Sequence, residues 1–191
     1  MRADWHCAHW TKIMQYAGEY IDIARMADDL GSQKAPLISP DNYREVVMPA
    51  HQKIVNHIRS LKPDIKIVYH CDGSIREFLP YFIKDVGFDC WNPVQVSAEG
   101  MDDTAWLKET YGDKITFWGA GCDSQQVIAK CTPDEIRAEV RRRINDLAAG
   151  GGLILGSIHN LQKNVPPENM VAFYDAICEY SVKYYENGGH V

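Results

Sequence analysis

The stretch KIVYHCDGSIREFLPYFIKDVGFDCWN, Lys66 to Asn92, decides the fold. It opens with a β-rich run, Lys66 to His70. It turns at Gly73 and continues with a helical pattern, Ile75 to Val86. It then enters a second β-rich run, Phe88 to Asn92. Strands alternating with helices of this length imply βαβ units and a parallel sheet.

The same rhythm extends in both directions. Downstream, the spacing predicts a helix from Asp102 to Tyr111 and a strand from Ile115 to Gly119. The next helix opens on Thr132-Pro133-Asp134-Glu135, a capping box with proline in the first turn, and stops at Gly150-Gly151-Gly152. A fifth strand is expected over Leu153 to Ile158, and a last helix from Pro166-Pro167-Glu168 to about Tyr185. Upstream, Ser39-Pro40-Asp41 caps a helix that runs to about Leu61 and ends before Pro63. It follows a strand from Tyr20 to Ala27, and the first twenty residues read as a helix leading into that strand. Five strand–helix units in one domain, residues 1–191, suit either an open parallel sheet or part of a barrel. Neither GxGxxG nor GxxxxGK[ST] occurs, so the nucleotide-binding open sheets lose their usual signature.

Composition narrows the function classes. The net charge of −6 argues against a nucleic-acid grip. The basic run Arg141-Arg142-Arg143 reads as a solvated helix face. The longest apolar runs are too short for a membrane span, and Met1 to His6 has no signal-peptide core. Six cysteines without a CxxC pair read as reduced thiols, which makes a cytoplasmic protein the expectation. Tyr16, Tyr20, Trp91 and Trp118 lie next to strands and read mostly as core.

In parallel α/β folds, function collects where strands end and helices begin. The five strand ends carry Asp28, Asp29 and Gln33; His70, Cys71 and Asp72; Asn92 and Gln95; Cys122, Asp123, Ser124 and Gln125; and His159, Asn160 and Gln162. His70 and Asp72 are two apart on an extended segment, so they share a side and have metal-ligand spacing. Cys71 between them points the other way and reads as packing. His159 could be a third ligand. The alternative is that His70 hydrogen-bonds a carboxylate and His159 caps a turn. Cys122 near a helix start is either a thiol of lowered pKa or a structural cysteine.

The segments Asp28-Asp29-Leu30-Gly31-Ser32-Gln33, His70-Cys71-Asp72-Gly73-Ser74, Trp91-Asn92-Pro93-Val94-Gln95, Phe117-Trp118-Gly119, Gly151-Gly152-Leu153-Ile154-Leu155 and Pro166-Pro167-Glu168-Asn169 stand in an order that resembles the uroporphyrinogen decarboxylase superfamily. That superfamily also contains corrinoid-dependent methyltransferases. The resemblance implies a (β/α)8 TIM barrel of which this chain covers the C-terminal portion, from about the fourth strand to the eighth. It places the decarboxylases' arginine-rich motif and tetrapyrrole-holding aspartate in the earlier units. The methyltransferase branch binds zinc through His-x-Cys on one strand and a cysteine near the last strand's end. The implied set here is His70, Asp72 and His159, with both thiolates replaced by harder donors. The resemblance further implies Asp28, Asp29 and His70 as catalytic residues, with Gln33, Asn92, Gln95 and Cys122 lining the substrate pocket. The expected protein is a methyltransferase acting on a small methylated substrate with zinc assistance and a corrinoid on a partner protein. Uroporphyrinogen decarboxylase, in porphyrin biosynthesis, and a truncated non-catalytic fragment are the alternatives. A five-strand arc leaves two strand edges unpaired, so a homo-oligomer is expected.

Overall fold

The computed structural model describes residues 2–191. Helix α1 (Arg2–Ala17) leads through a tight turn at Gly18–Tyr20 into β1 (Ile23–Ala27). Pro40–Asn42, a wide turn over Tyr43–Val47 and α2 (Met48–Leu61) form one helical stretch. Then come β2 (Lys66–His70), β3 (Cys90–Val94), α3 (Thr104–Tyr111), β4 (Thr116–Ala120), α4 (Pro133–Leu147), β5 (Leu153–Gly156) and α5 (Pro167–Glu186).

The five strands form one parallel sheet in chain order, with helices packed along it. This is the α/β arrangement of a partial TIM barrel. β2 occupies the span expected of it, and Ser39 and the Thr132–Glu135 capping box close their helices as the sequence implies. Several elements differ; the third strand, expected over Phe88 to Asn92, lies at Cys90–Val94. The helix expected over Ile75 to Val86 is split into a turn at Arg76–Phe78 and a wide-turned segment at Tyr81–Val86, because Pro80 supplies no backbone N–H. The first strand starts at Ile23 rather than Tyr20, since Gly18–Tyr20 is still turning. The fifth strand ends at Gly156, because its neighbour leaves the extended region there: Gly119 and Ala120 have φ of 104° and 55°.

Strand residues alternate between two environments. Ala24, Ile67, Tyr69, Trp91 and Phe117 are buried against the helices. Tyr69 stacks on Phe88 and meets Phe82 edge-on, in a core shared with Tyr43, Ile54 and Ile58. A second apolar cluster joins α4 and α5 through Ile136, Val140, Ile144, Phe173 and Ala176. Residues of opposite parity on β1, namely Ile23, Arg25 and Ala27, are exposed on the open side of the arc. Of the four aromatics read as core, Trp91 is buried and Trp118 partly so, whereas Tyr16 and Tyr20 are exposed on the outer flank. No helix among the described residues is long and apolar enough to cross a membrane.

Candidate metal centre at the strand ends

β1 and β2 pair with Ala27 beside His70, so the residues just beyond both strands meet. Asp28 and Asp29 are neighbours in an extended chain and must face opposite ways. Asp29 turns to the open side: its Oδ1 accepts the Asp72 backbone N–H at 3.2 Å. Asp28 turns into the helix layer. Its Oδ2 accepts from Nε2 of His51 at 3.0 Å, and the Tyr43 hydroxyl lies 3.1 Å from His51 Nδ1. The His51 hydrogen bond holds the Asp28 carboxyl below the usual range. Asp28 and His51 line a cavity of about 420 Å³ together with Arg2, His6, Trp10 and Arg25. Strand parity thus sends Asp28 and Asp29, both expected to be catalytic, to opposite sides, and Asp29 alone faces His70.

Asp29, His70 and Asp72 can each offer one ligand atom such that these atoms all lie within 4.8 Å of one another. His70 Nε2 is 3.3 Å from Asp72 Oδ2. Asp72 Oδ1 is buried and has no hydrogen-bond partner. Burial pushes the Asp72 carboxyl up; the Asp29 charge adds to that push, while His70 and His159 pull the other way. A bound divalent cation would partner the orphaned oxygen and offset the repulsion between the two carboxylates. The residues fit such an ion, and one imidazole with two carboxylates is a harder donor set than a zinc-thiolate site.

His159, expected as the third ligand, lies outside this cluster. It is exposed beside Ser124, Gln125, Asn160 and Gln162, which line a small pocket with it, and β5 stands three strands away from β2 in the sheet. Its charge reaches Asp72; its ring does not join the group. Asp29, one strand away, takes that place.

The residues expected to line a pocket divide. Asn92 stands beside His70 in register, and its Oδ1 is 2.8 Å from His70 Nδ1. Gln95 is buried, and its Oε1 accepts the Gly73 N–H at 2.7 Å, so that oxygen fixes the loop after β2. That loop is tight: at Gly73, φ +89°, an added Cβ would lie 2.4 Å from the Gly31 carbonyl carbon. Gln33 is exposed on an open depression with Glu99, Asp102 and Asp123. Cys122, expected to line the substrate pocket, is buried in the α4–α5 cluster, where burial pushes its thiol up to about 12, the opposite direction from the lowered-pKa option. Cys71 packs inward as expected, its sulfur accepting the Leu30 N–H at 3.3 Å.

Sequence reasoning missed Tyr43 and His51. One signal was present: His51, Ile54, Val55 and Ile58 stand at helical spacing and share the buried face of α2. A histidine on such a stripe needs polar partners.

The sequence model of the uroporphyrinogen decarboxylase (URO-D) family matches residues 13–180. A uroporphyrinogen decarboxylase of Pseudoalteromonas translucida is 27% identical over 161 residues, covering 78% of this chain and 40% of its own. Another, of Psychromonas ingrahamii, is 34% identical over 155 residues, again 78% and 40%. A methylated-thiol–coenzyme M methyltransferase of Methanosarcina mazei is 26% identical over 156 residues, 82% of this chain and 38% of its own. The chain thus spans less than half the length of these relatives. A solved methyltransferase structure from Methanosarcina mazei shares the fold, with a TM-score of 0.63 at 20% identity over 93% of this chain and 47% of that one. With the match covering most of its length and the five parallel strands in place, this chain belongs to the uroporphyrinogen decarboxylase family.

Proposed function

We propose that the chain forms the metal-binding side of a corrinoid-dependent methyltransferase acting on a small methylated substrate. One observation carries the reading: Asp29, His70 and Asp72 converge at the strand ends around a buried, unpartnered carboxylate oxygen. His70 Nε2 and one oxygen from each aspartate would hold a divalent cation, zinc or a harder ion. When bound, the cation supplies Lewis-acid polarisation of the substrate heteroatom that carries the methyl group. An oxygen leaving group suits this donor set better than a thiol. The methyl would pass to or from a corrinoid on a separate protein. The backbone N–H of Asp72 holds Asp29 in place, and Gln95 fixes the loop that carries Asp72.

A second reading, uroporphyrinogen decarboxylase, draws support from the two decarboxylase relatives described above. The two readings separate experimentally. Purified protein is titrated with Zn²⁺ and with Mn²⁺, then assayed for methyl transfer from a methoxylated aromatic to a cob(I)alamin acceptor and for CO₂ release from uroporphyrinogen. His70→Ala and Asp29→Ala should abolish cation binding and methyl transfer with helix content unchanged, and His159→Ala should retain both. A parent that binds neither cation, or whose binding survives His70→Ala, refutes the metal reading. CO₂ release without methyl transfer establishes the decarboxylase.

A further inference from the structure

The His70 ring has two nitrogens, and only one can carry the proton in the neutral form. Its Nε2 faces the Asp29–Asp72 cluster; its Nδ1 faces Asn92. The contact with Asn92 is set by the sheet: His70 and Asn92 are direct neighbours in the β2–β3 register, on the same face. The Asn92 side-chain oxygen, 2.8 Å away, has no proton to give. We infer that Asn92 is a positioning residue for the metal centre. By accepting the Nδ1–H of His70 it fixes the ring in the Nδ1-protonated tautomer and leaves the Nε2 lone pair aimed at the site. The opposite tautomer would donate Nε2–H to Asp72 Oδ2, the competing acceptor at the longer distance of 3.3 Å, and close the imidazole to a cation. This inference rests on the metal reading for its purpose, but the tautomer is a property of the cation-free protein. Partners of this kind typically contribute 10–100-fold to metal affinity, as an approximate range, because they orient the ring and set its basicity.

The test uses the whole chain labelled with ¹⁵N-histidine. Two-bond ¹H–¹⁵N spectra at about pH 8.5, where an ordinary imidazole is neutral, report the tautomer of each ring. Loss of one signal set in His70→Ala assigns His70. The parent should carry its proton on Nδ1. Asn92→Leu should shift population toward Nε2–H and weaken Zn²⁺ or Mn²⁺ binding about 10–100-fold, with circular dichroism unchanged. Asn92→Asp, whose carboxylate accepts the same N–H, should restore both the tautomer and the affinity. A parent protonated on Nε2, or an Asn92→Leu variant with the parent's affinity, overturns the inference. A parent that shows Nδ1–H yet binds neither cation supports the tautomer assignment and refutes the metal reading.

Discussion

Replacing Tyr43 by Phe removes one oxygen from a fully buried position. Tyr43 is completely enclosed, and its ring lies against Phe78, Tyr81 and Phe82, contacts that Phe keeps. The hydroxyl, however, lies 3.1 Å from His51 Nδ1, and His51 is itself only 2% exposed. Because His51 Nε2 faces the Asp28 carboxylate, the Nδ1 lone pair receives the Tyr43 O–H. The variant therefore strands a buried acceptor, which costs roughly 1–3 kcal/mol. In a chain of this length each kcal/mol lowers Tm by about 2–4 °C, so a fall of roughly 2–12 °C is expected. Urea unfolding checks the same quantity: the midpoint should drop at constant slope. Cation binding at Asp29, His70 and Asp72 should be unchanged, because strand parity puts Asp28 and its partners on the other face of β1. A variant as stable as the parent would show that Tyr43 and His51 are not bonded. A variant that lost cation binding would refute the division of the two aspartates between faces.

Three other outcomes follow from the geometry. Gly73→Ala should destabilise by more than about 2 kcal/mol in urea unfolding, since the new Cβ would meet the Gly31 backbone and the position has φ +89°; an unchanged midpoint would refute that close approach. Asp28 has a lowered pKa, so its contribution to stability is present above the unfolded value near pH 4 and lost as pH falls through the folded value; the stability gap between parent and Asp28→Asn should therefore close on acidification below about pH 4, and a gap independent of pH would refute it. The outer edges of β1 and β5 are unpaired among the described residues, and Ile23, Ile154, Val171, Tyr174, Val182 and Tyr185 are exposed, so light scattering should give a multiple of the chain mass; a monodisperse monomer would refute self-association.

The sequence by itself determined the order and direction of the elements. Proline and glycine punctuation, the Thr132–Glu135 capping box and the alternation of β-rich runs with helical patterns are local signals, and they located β2 to the residue. They also located the strand ends at which His70 and Asp72 sit two apart on one side. Only the tertiary structure decided which partners those residues meet. Asp29 rather than His159 completes the cluster, because β1 is hydrogen-bonded to β2 while β5 is three strands away, and sequence spacing carries no measure of that distance. Asp28 and Asp29 read alike until the register places Ala27 against His70 and parity sends one to the helices and the other to the centre. Tyr43 and His51 pair with Asp28 across the helix layer, and Gln95 and Cys122 turn inward. Local chemistry sets what a segment is; register, sheet curvature and burial set what it touches, and a site is made of contacts.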